Sequence, residues 1–294
     1  MIDNLMKAGS LNSINGLLDS YIVKLPYFYL IIVFILVLIA IISYKTKQLT
    51  ISGAILAAVF GTIVTLAFGT GGLLVYIFFI VAAGVLSKIN ENNKIYQEAE
   101  EIQEKGNQRD AAQVFANAGI VFVLAFIYIL QPSIIILIIF GASVSEAVCD
   151  TASGEVGMLF NGKTVSIITG IPQKSGLSGG VSYEGTLGGF VAVLITAMIW
   201  YTCFFTTGIT TITYFFIVTV AGFSGCMVDS LLGASIQAHY YDNQTDKLTE
   251  KSHNEEGHAL PLVKGNAFFD NDKVNFFSNL FSVIFALLIS SLIL

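Results

Sequence analysis

Composition and charge exclude most classes of protein for this chain of 294 residues. Charged residues make up only 12% of it, about half of the roughly 25% that is usual in soluble domains. Apolar residues make up 55%, and the mean hydropathy is +0.78. These values exclude an ordinary soluble domain and a disordered chain. The 14 Lys and Arg residues against 20 Asp and Glu leave no basic surface for nucleic acid. The sequence therefore predicts an integral membrane protein.

Eight apolar segments are long enough to cross a bilayer, which takes roughly 20 helical residues. They lie at about 27–44, 51–69, 71–87, 111–130, 133–150, 185–204, 209–230 and 276–293. The pattern predicts an all-α, polytopic fold with about eight transmembrane helices in a single domain, 1–294. Residues 1–26 precede the first span, and within them residues 10–23 have an apolar face typical of either a short interfacial helix or a plain leader.

The distribution of cationic residues predicts the orientation, because loops rich in Lys and Arg stay in the cytoplasm. With eight spans, both termini and the even-numbered loops share one side, which holds Lys7 and Lys24 and no other cation. We therefore expect a multi-pass cell-membrane protein with both termini outside. Its three long loops, at about 88–110, 151–184 and 231–275, are then cytoplasmic. The polar functional site is expected on that face.

Carboxylate and amide side chains recur where four of the predicted helices meet the cytoplasmic face. The fifth and seventh spans run inward and reach this level after roughly 18–20 residues at about 1.5 Å each. The residues at this level are Asp150 and Glu155 from the fifth span, Asp229 and Ser230 from the seventh, Asp272 and Asn275 before the eighth, and Arg109, Gln113 and Asn117 from the fourth. The last three are spaced four apart and form one polar stripe on an otherwise apolar helix.

Carboxylates, side-chain amides and one arginine together indicate metal and phosphate chemistry. Mg²⁺ is commonly held by one or two carboxylates together with substrate phosphates, and Arg offers a two-pronged donor for phosphate. The motif Asp–hydroxyl–x–x–Gly also occurs twice, as Asp150–Gly154 and Asp229–Gly233. Duplicated halves that face one site recur in membrane proteins. We expect the two motifs to share a pocket.

The loop at 161–184 is rich in glycine and contains a short strand-like run, Thr164–Thr169. Glycine backbones can close around phosphate oxygens, so Lys174, Gly179 and Gly180 are candidates for substrate or nucleotide binding. The loop matches neither common nucleotide-binding glycine pattern, and a flexible connector is the alternative. In the preceding loop, the alternating charges of Glu91–Lys105 predict a solvated helical arm.

Five segments resemble an integral-membrane family known as domain of unknown function 92, which includes transmembrane protein 19 and the plant and cyanobacterial phytyl-phosphate kinases. They are NQRDAAQVFANAG (107–119), CDTASGEVG (149–157), TGIPQKSGLSGGVSYEGTLGG (169–189), GCMVDSLLGASIQ (225–237) and DNDKVNFFS (270–278). The resemblance implies phosphoryl transfer from a nucleoside triphosphate, ATP or CTP, to a prenyl monophosphate such as phytyl phosphate.

The resemblance also implies roles for individual residues. Asp150, Glu155 and Asp229 are then catalytic and, with Asp272, hold Mg²⁺. Arg109, Gln113 and Asn117 are assigned to the phosphate or nucleotide, as are Ser230 and Asn275. The substrate's prenyl chain is expected between helices, next to residues such as Phe122, Phe126, Phe190 and Phe223.

Two other functions stay open from the sequence. A secondary transporter would use the same acids for coupling, although transporters usually place such acids near the bilayer midplane on broken helices. A CTP-dependent nucleotidyltransferase acting on a lipid phosphate would use the same site geometry. It would release pyrophosphate instead of a nucleoside diphosphate.

Overall fold

A computed structural model describes residues 27–106, 108–205 and 209–293 of the chain. The helices are α1 (Phe28–Lys45), α2 (Ile51–Asn90), α3 (Lys94–Ile102), α4 (Ala111–Leu130), α5 (Ile134–Leu159), α6 (Tyr183–Phe204), α7 (Ile209–Ser235) and α8 (Asn271–Ile293). The strands are β1 (Val165–Ser166), β2 (Gly180–Val181), β3 (His239–Asp242), β4 (Lys247–Thr249) and β5 (Leu262–Lys264). The predicted helical membrane fold is confirmed. The interfacial helix predicted at 10–23 lies outside the described residues.

The 40-residue helix α2 is folded back on itself at Gly69. The φ of Gly69 is +68° and its ψ is −159°, a backbone conformation that essentially only glycine adopts. The Tyr76 hydroxyl in the second limb consequently reaches the Ala57 carbonyl of the first, at 3.1 Å. Six of the described helices, α2 among them, are long and apolar enough to cross a membrane. With two limbs in α2, and with the shorter apolar helix α1, the structure agrees with about eight spans.

Helix α5 is the centre of the bundle. In its apolar window 78% of the residues are buried, against 33% to 44% in the other long helices. Phe140 stacks on Phe68 of α2 with ring centroids 4.2 Å apart. On another side, the Trp200 indole of α6 donates to the Leu137 carbonyl at 3.0 Å. The helices around α5 are therefore positioned mainly by their contact with it.

Helix α5 continues nine residues beyond the predicted end of its span, to Leu159. The extra residues were predicted as loop because Gly154, Gly157 and several polar residues occur there. They stay helical because α6 packs closely against them: a methyl group on Gly185 would lie only 2.6 Å from the Ser153 carbonyl oxygen. A methyl group on Gly188 would likewise lie 2.6 Å from the side chain of Val156. The acidic residues of this segment therefore sit on a rigid helix.

The three long loops converge at one end of the bundle and carry the small sheets. Strands β1 and β2 pair antiparallel, as do β3 with β4 and with β5. Helix α3 lies in the first loop with Tyr96, Ala99 and Ile102 buried. The prediction of a solvated arm is therefore wrong for one face of this charged segment, because that face is apolar and packs on the bundle.

The close contact between α5 and α6 predicts that Gly185→Ala destabilises the protein by about 1–3 kcal/mol, since the backbone at Ser153 must move. Thermal unfolding of the purified protein in detergent measures this change. Gly154→Ala is the matched control, because a methyl group there meets nothing within 4 Å and alanine favours the helix. Equal melting temperatures for the two variants would contradict the close packing.

Candidate functional site

A polar cavity of about 270 Å³ lies at the end of the bundle where α5 and α7 end and α4, α6 and α8 begin. Eleven of the twelve residues placed at the site by the sequence line it: Asp150, Glu155, Asp229, Arg109, Gln113, Asn117, Gly179, Gly180, Ser230, Asp272 and Asn275. Lys174 does not line the cavity. Its side chain is exposed, because the turn that follows Lys174 directs residues 175–182 inward instead.

A buried hydrogen-bond network joins α5, α7 and α8 directly behind the cavity. The Ser278 hydroxyl lies 3.0 Å from a carboxylate oxygen of Glu146 and 3.0 Å from one of Asp229. These two acids are therefore no further apart than twice that distance. Asn279 donates to the other Glu146 oxygen at 2.5 Å and to the Ser143 carbonyl at 2.8 Å. Glu146 itself is only 2% exposed and does not line the cavity.

Asp229 reaches the cavity from this network with one carboxylate oxygen already bound. Its Oδ2 atom shares the single Ser278 hydroxyl proton with Glu146 and lies 3.1 Å from the side-chain amide of Asn275, whose nitrogen faces it. The orientation of that amide follows from its hydrogen-bond partners. Asp150 lies one helical turn beyond Glu146 and interacts electrostatically with Asp229. No described residue donates a hydrogen bond to the carboxylate of Asp150 in this structure.

Arg109 lines the same cavity as the two aspartates and forms no ion pair with any described carboxylate, although it interacts electrostatically with Asp150. Its backbone is held firmly: the Arg109 N–H donates to the Gln48 carbonyl at 2.9 Å, and its carbonyl accepts from Thr50 at 3.0 Å. Gly53 allows this approach, because a larger residue would collide with the Arg109 carbonyl. The backbone of Arg109 is therefore fixed at the cavity, and no described carboxylate occupies the guanidinium donors, which can bind an anion.

Gln113 and Asn117 lie on α4 after Arg109, as the spacing predicts. Part of their hydrogen-bonding capacity is already used within the protein. Gln113 and Asp110 form a reciprocal cap at the start of α4, with hydrogen bonds of 3.0 Å and 2.9 Å. Asn117 donates to the Gln113 carbonyl at 2.9 Å. These bonds leave two groups for a ligand: the side-chain nitrogen of Gln113 and the side-chain oxygen of Asn117.

Glu155 lines the cavity, yet both of its carboxylate oxygens are engaged by other elements. Oε1 accepts from the Ser87 hydroxyl at 2.6 Å and from the Tyr96 hydroxyl at 3.4 Å. Oε2 accepts from Asn90 at 2.7 Å. Burial, with the nearby Glu155 charge, raises the pKa of Tyr96 to about 12, so Tyr96 keeps its proton for this bond. Glu155 thus joins α5 to α2 and α3, and its catalytic and metal roles stay predictions.

Asp272, a predicted metal ligand, forms an ion pair with Lys105 at 2.5 Å. Lys105 also contacts Asp110 at 3.1 Å. Although burial opposes it, bonding to these two carboxylates raises the pKa of Lys105, which keeps the lysine charged. Across the described ranges, no three His, Cys, Asp or Glu side chains lie close enough together to hold a metal ion by themselves.

The glycine-rich loop already holds a carboxylate from within the protein. The backbone N–H and the hydroxyl of Ser178 both donate to one oxygen of Glu250, at 2.9 Å and 2.5 Å. Glu250 is 5% exposed and lines the cavity from the third long loop. Gly176 and Gly179, both with positive φ, fit against Ala99 and Ala234. Sequence reasoning missed Glu250, because its partner lies 72 positions away and no motif marks it.

Burial raises the pKa of Glu250 to about 7, although the hydrogen bonds from Ser178 oppose the shift. When the glycine-rich loop is docked on Glu250, this carboxyl therefore binds a proton more tightly than when the loop is undocked and Glu250 has an ordinary pKa near 4.5. Protonation of Glu250 therefore stabilises the docked loop fully below about pH 4.5, and this stabilisation disappears as the pH rises through 7.

Glu250→Gln stays uncharged and still accepts from Ser178, so it should remove this pH dependence. Hydrogen exchange of residues 161–182 between pH 5 and pH 8 tests the prediction, with wild type compared to the variant at each pH. We expect protection of the wild-type loop to fall relative to the variant as the pH rises. A constant ratio across that range would show that Glu250 does not titrate there.

Comparison with known proteins places the chain in a family of membrane proteins. It is 30% identical to Protein PGR of Arabidopsis thaliana over 275 residues, which is 86% of this chain and 93% of the relative. An uncharacterised membrane protein of Synechocystis sp. is 32% identical, over 65% of this chain and 73% of its own. One of Methanocaldococcus jannaschii is 26% identical, over 69% and 80%.

No solved structure matches the chain. The model of the integral membrane protein family DUF92 matches residues 34–283, a range that contains all twelve predicted site residues. The resemblance seen in the five sequence segments is thereby confirmed, and the chain belongs to the DUF92 family of integral membrane proteins.

Proposed function

We propose that this protein is a Mg²⁺-dependent kinase of prenyl monophosphates, such as phytyl or polyprenyl phosphate. In this proposal the terminal phosphoryl group of ATP or CTP moves to the lipid phosphate in the polar cavity. The cavity faces the cytoplasm, as the distribution of cationic residues predicts. The observation that carries the proposal is the Arg109 guanidinium, which forms no ion pair with a described carboxylate and lies in the same cavity as Asp150 and Asp229.

The donor set of the cavity fits a magnesium ion that is shared with a nucleotide. Mg²⁺ typically binds one or two carboxylates and completes its octahedron with water and substrate phosphates. Asp150 and Asp229 offer two carboxylates of this kind, and Asp150 has no other hydrogen-bond donor among the described residues. When bound there, the ion neutralises charge on the triphosphate. Glu155 and Asp272 are less suited to this role, because both oxygens of Glu155 already accept hydrogen bonds and Asp272 is already paired with the Lys105 cation.

Residues of the chain itself position the acceptor phosphate. Arg109 holds the lipid phosphate through two parallel N–H donors, and Asn117 lies beside it on α4. An oxygen of that phosphate forms a bond to the terminal phosphorus of the nucleotide, while the bridging oxygen leaves with the nucleoside diphosphate. The second pKa of a phosphate monoester is about 6, so the acceptor is already anionic and needs no strong base. Positioning and charge stabilisation are the main requirements of such a transfer.

The alternative functions differ in ways that can be measured. A transporter needs its coupling acids in a path across the membrane, whereas Glu146, deep in the bundle, does not line the polar cavity. Nucleotidyl transfer releases pyrophosphate, whereas kinase activity releases a nucleoside diphosphate.

The direct test incubates the purified protein with Mg²⁺, labelled ATP or CTP, and a panel of prenyl monophosphates. We expect a prenyl diphosphate and a nucleoside diphosphate as products. Asp150→Asn and Asp229→Asn should each lower the rate by about 100-fold or more, since each removes a charge that acts on the transferring group. Pyrophosphate as the product, or full activity in both variants, would contradict the proposal.

Comparing Glu155 with Asp150 separates a structural carboxylate from a metal-binding one. Glu155→Ala removes the carboxylate that accepts from Ser87, Tyr96 and Asn90, although Asn90 keeps its bond to the main-chain carbonyl of residue 155. We expect a loss of about 2–4 kcal/mol of stability, because several hydrogen bonds to a charged group are broken. Asp150→Asn should leave the melting temperature nearly unchanged and raise the Mg²⁺ concentration needed for half-maximal rate. If Glu155→Gln instead raises the Mg²⁺ requirement as much as Asp150→Asn does, Glu155 is a metal ligand.

A further inference from the structure

A second cavity, of about 420 Å³, lies beside the first, between the α1–α2 connection, the second limb of α2 and α4. Its volume is within the range of about 300–1,000 Å³ that is usual for small-molecule sites. Polar residues at its rim include Lys47, Lys88 and Glu91. Its deeper wall is mostly apolar and includes Ala57, Tyr76, Phe79, Ile80, Ala83 and Ala118. We call this space the side chamber.

The side chamber and the polar cavity share a wall. Ser87, Tyr96, Arg109, Gln113 and Asn117 line both spaces. Arg109 is the only arginine in the 294-residue sequence. An anion bound by its guanidinium therefore sits where an apolar space meets a polar one. The arrangement is amphipathic in the same sense as a lipid that carries a single phosphate.

The apolar wall of the side chamber is built to stay open. The Tyr76 hydroxyl is tied to the Ala57 carbonyl, so its ring forms a fixed surface. Small residues, Ala57, Ala83 and Ala118, line the space between the helices. The polar part of the chamber can hold water, whereas water against this apolar wall is unfavourable. A hydrocarbon chain is the occupant that covers the apolar wall and leaves the polar residues to the phosphate and the solvent.

We infer that the side chamber binds the single hydrocarbon chain of the lipid monophosphate, with its phosphate on Arg109 at the shared wall. This inference rests on the proposed function for the identity of the acceptor. This position of the prenyl chain differs from the one expected from the sequence, in which the chain lies next to four phenylalanines. Phe190 packs on Phe223 with centroids 5.3 Å apart, and Phe122 packs on Phe60 at 4.5 Å. None of the four residues expected from the sequence, Phe122, Phe126, Phe190 and Phe223, lines the side chamber.

Photo-crosslinking tests the position of the chain without any turnover. The probe is a prenyl monophosphate with a diazirine on its chain, added to the purified full-length protein without nucleotide, and the labelled peptides are mapped by mass spectrometry. We expect labels in the second limb of α2 and in α4. Ala83→Phe and Ala118→Phe fill the chamber and should each lower this labelling at least ten-fold.

Ala82→Phe is the matched control, because Ala82 is the neighbouring residue on α2 and lines neither cavity. Melting temperatures close to wild type identify the variants that are folded. Unlabelled prenyl monophosphate should compete with the probe, and the matching prenyl alcohol should compete at least ten-fold more weakly. Phosphatidic acid, with two chains, should not compete. Labelling on α6 or α7, equal labelling of folded Ala83→Phe and wild type, or competition by phosphatidic acid would overturn the inference.

The crosslinking result and the activity result distinguish a failure of the chamber inference from a failure of the proposed function. If the chamber is labelled as expected but no phosphoryl transfer occurs with any nucleotide, the kinase proposal fails and the lipid-binding chamber stands. If transfer occurs but the labels lie elsewhere, the chamber is wrong and the kinase proposal stands.

Discussion

The architecture of the site depends on the hydrogen bonds that satisfy two acids at the junction of α5, α7 and α8. An unsatisfied carboxylate inside a membrane is costly, so Glu146 and Asp229 need donors from a neighbouring helix. Helix α8 supplies them: Asn279 donates to Glu146, and the single hydroxyl proton of Ser278 is shared between Glu146 and Asp229. Because each donor must meet its acceptor, these bonds set the relative height of three helices. Asp150, one turn further along α5, is thereby brought to the same cavity as Asp229.

The opposite wall of the cavity is positioned by a different kind of contact. Arg109 sits just before α4, where its backbone pairs with Gln48 and Thr50 in the α1–α2 connection. This pairing holds the backbone of Arg109 at the cavity without using its side-chain donors. The acidic wall is thus fixed within the helical bundle, and the cationic wall is fixed at its edge. A phosphate lying between the two walls meets both a cation and the carboxylates that suit a metal ion.

The sequence predicts the features that depend on local pattern and misses those that depend on distant partners. Hydropathy places α4 at the residues where the structure has it, and the positions of the acids predict a shared cavity. The end of α5 was placed too early, because residues 151–159 have the composition of a loop and stay helical through contact with α6. The pairing of Lys105 with Asp272 joins residues 167 positions apart. No local pattern indicates a contact of that kind.

Locating the metal ion tests the central claim most directly. Crystals of the protein with Mn²⁺ in place of Mg²⁺ and a non-hydrolysable nucleoside triphosphate would show the ion by its anomalous scattering. The account predicts a peak between the carboxylates of Asp150 and Asp229, with the nucleotide phosphates beside it. A peak bound only by Glu155 or Asp272, or no peak within the polar cavity, would contradict it.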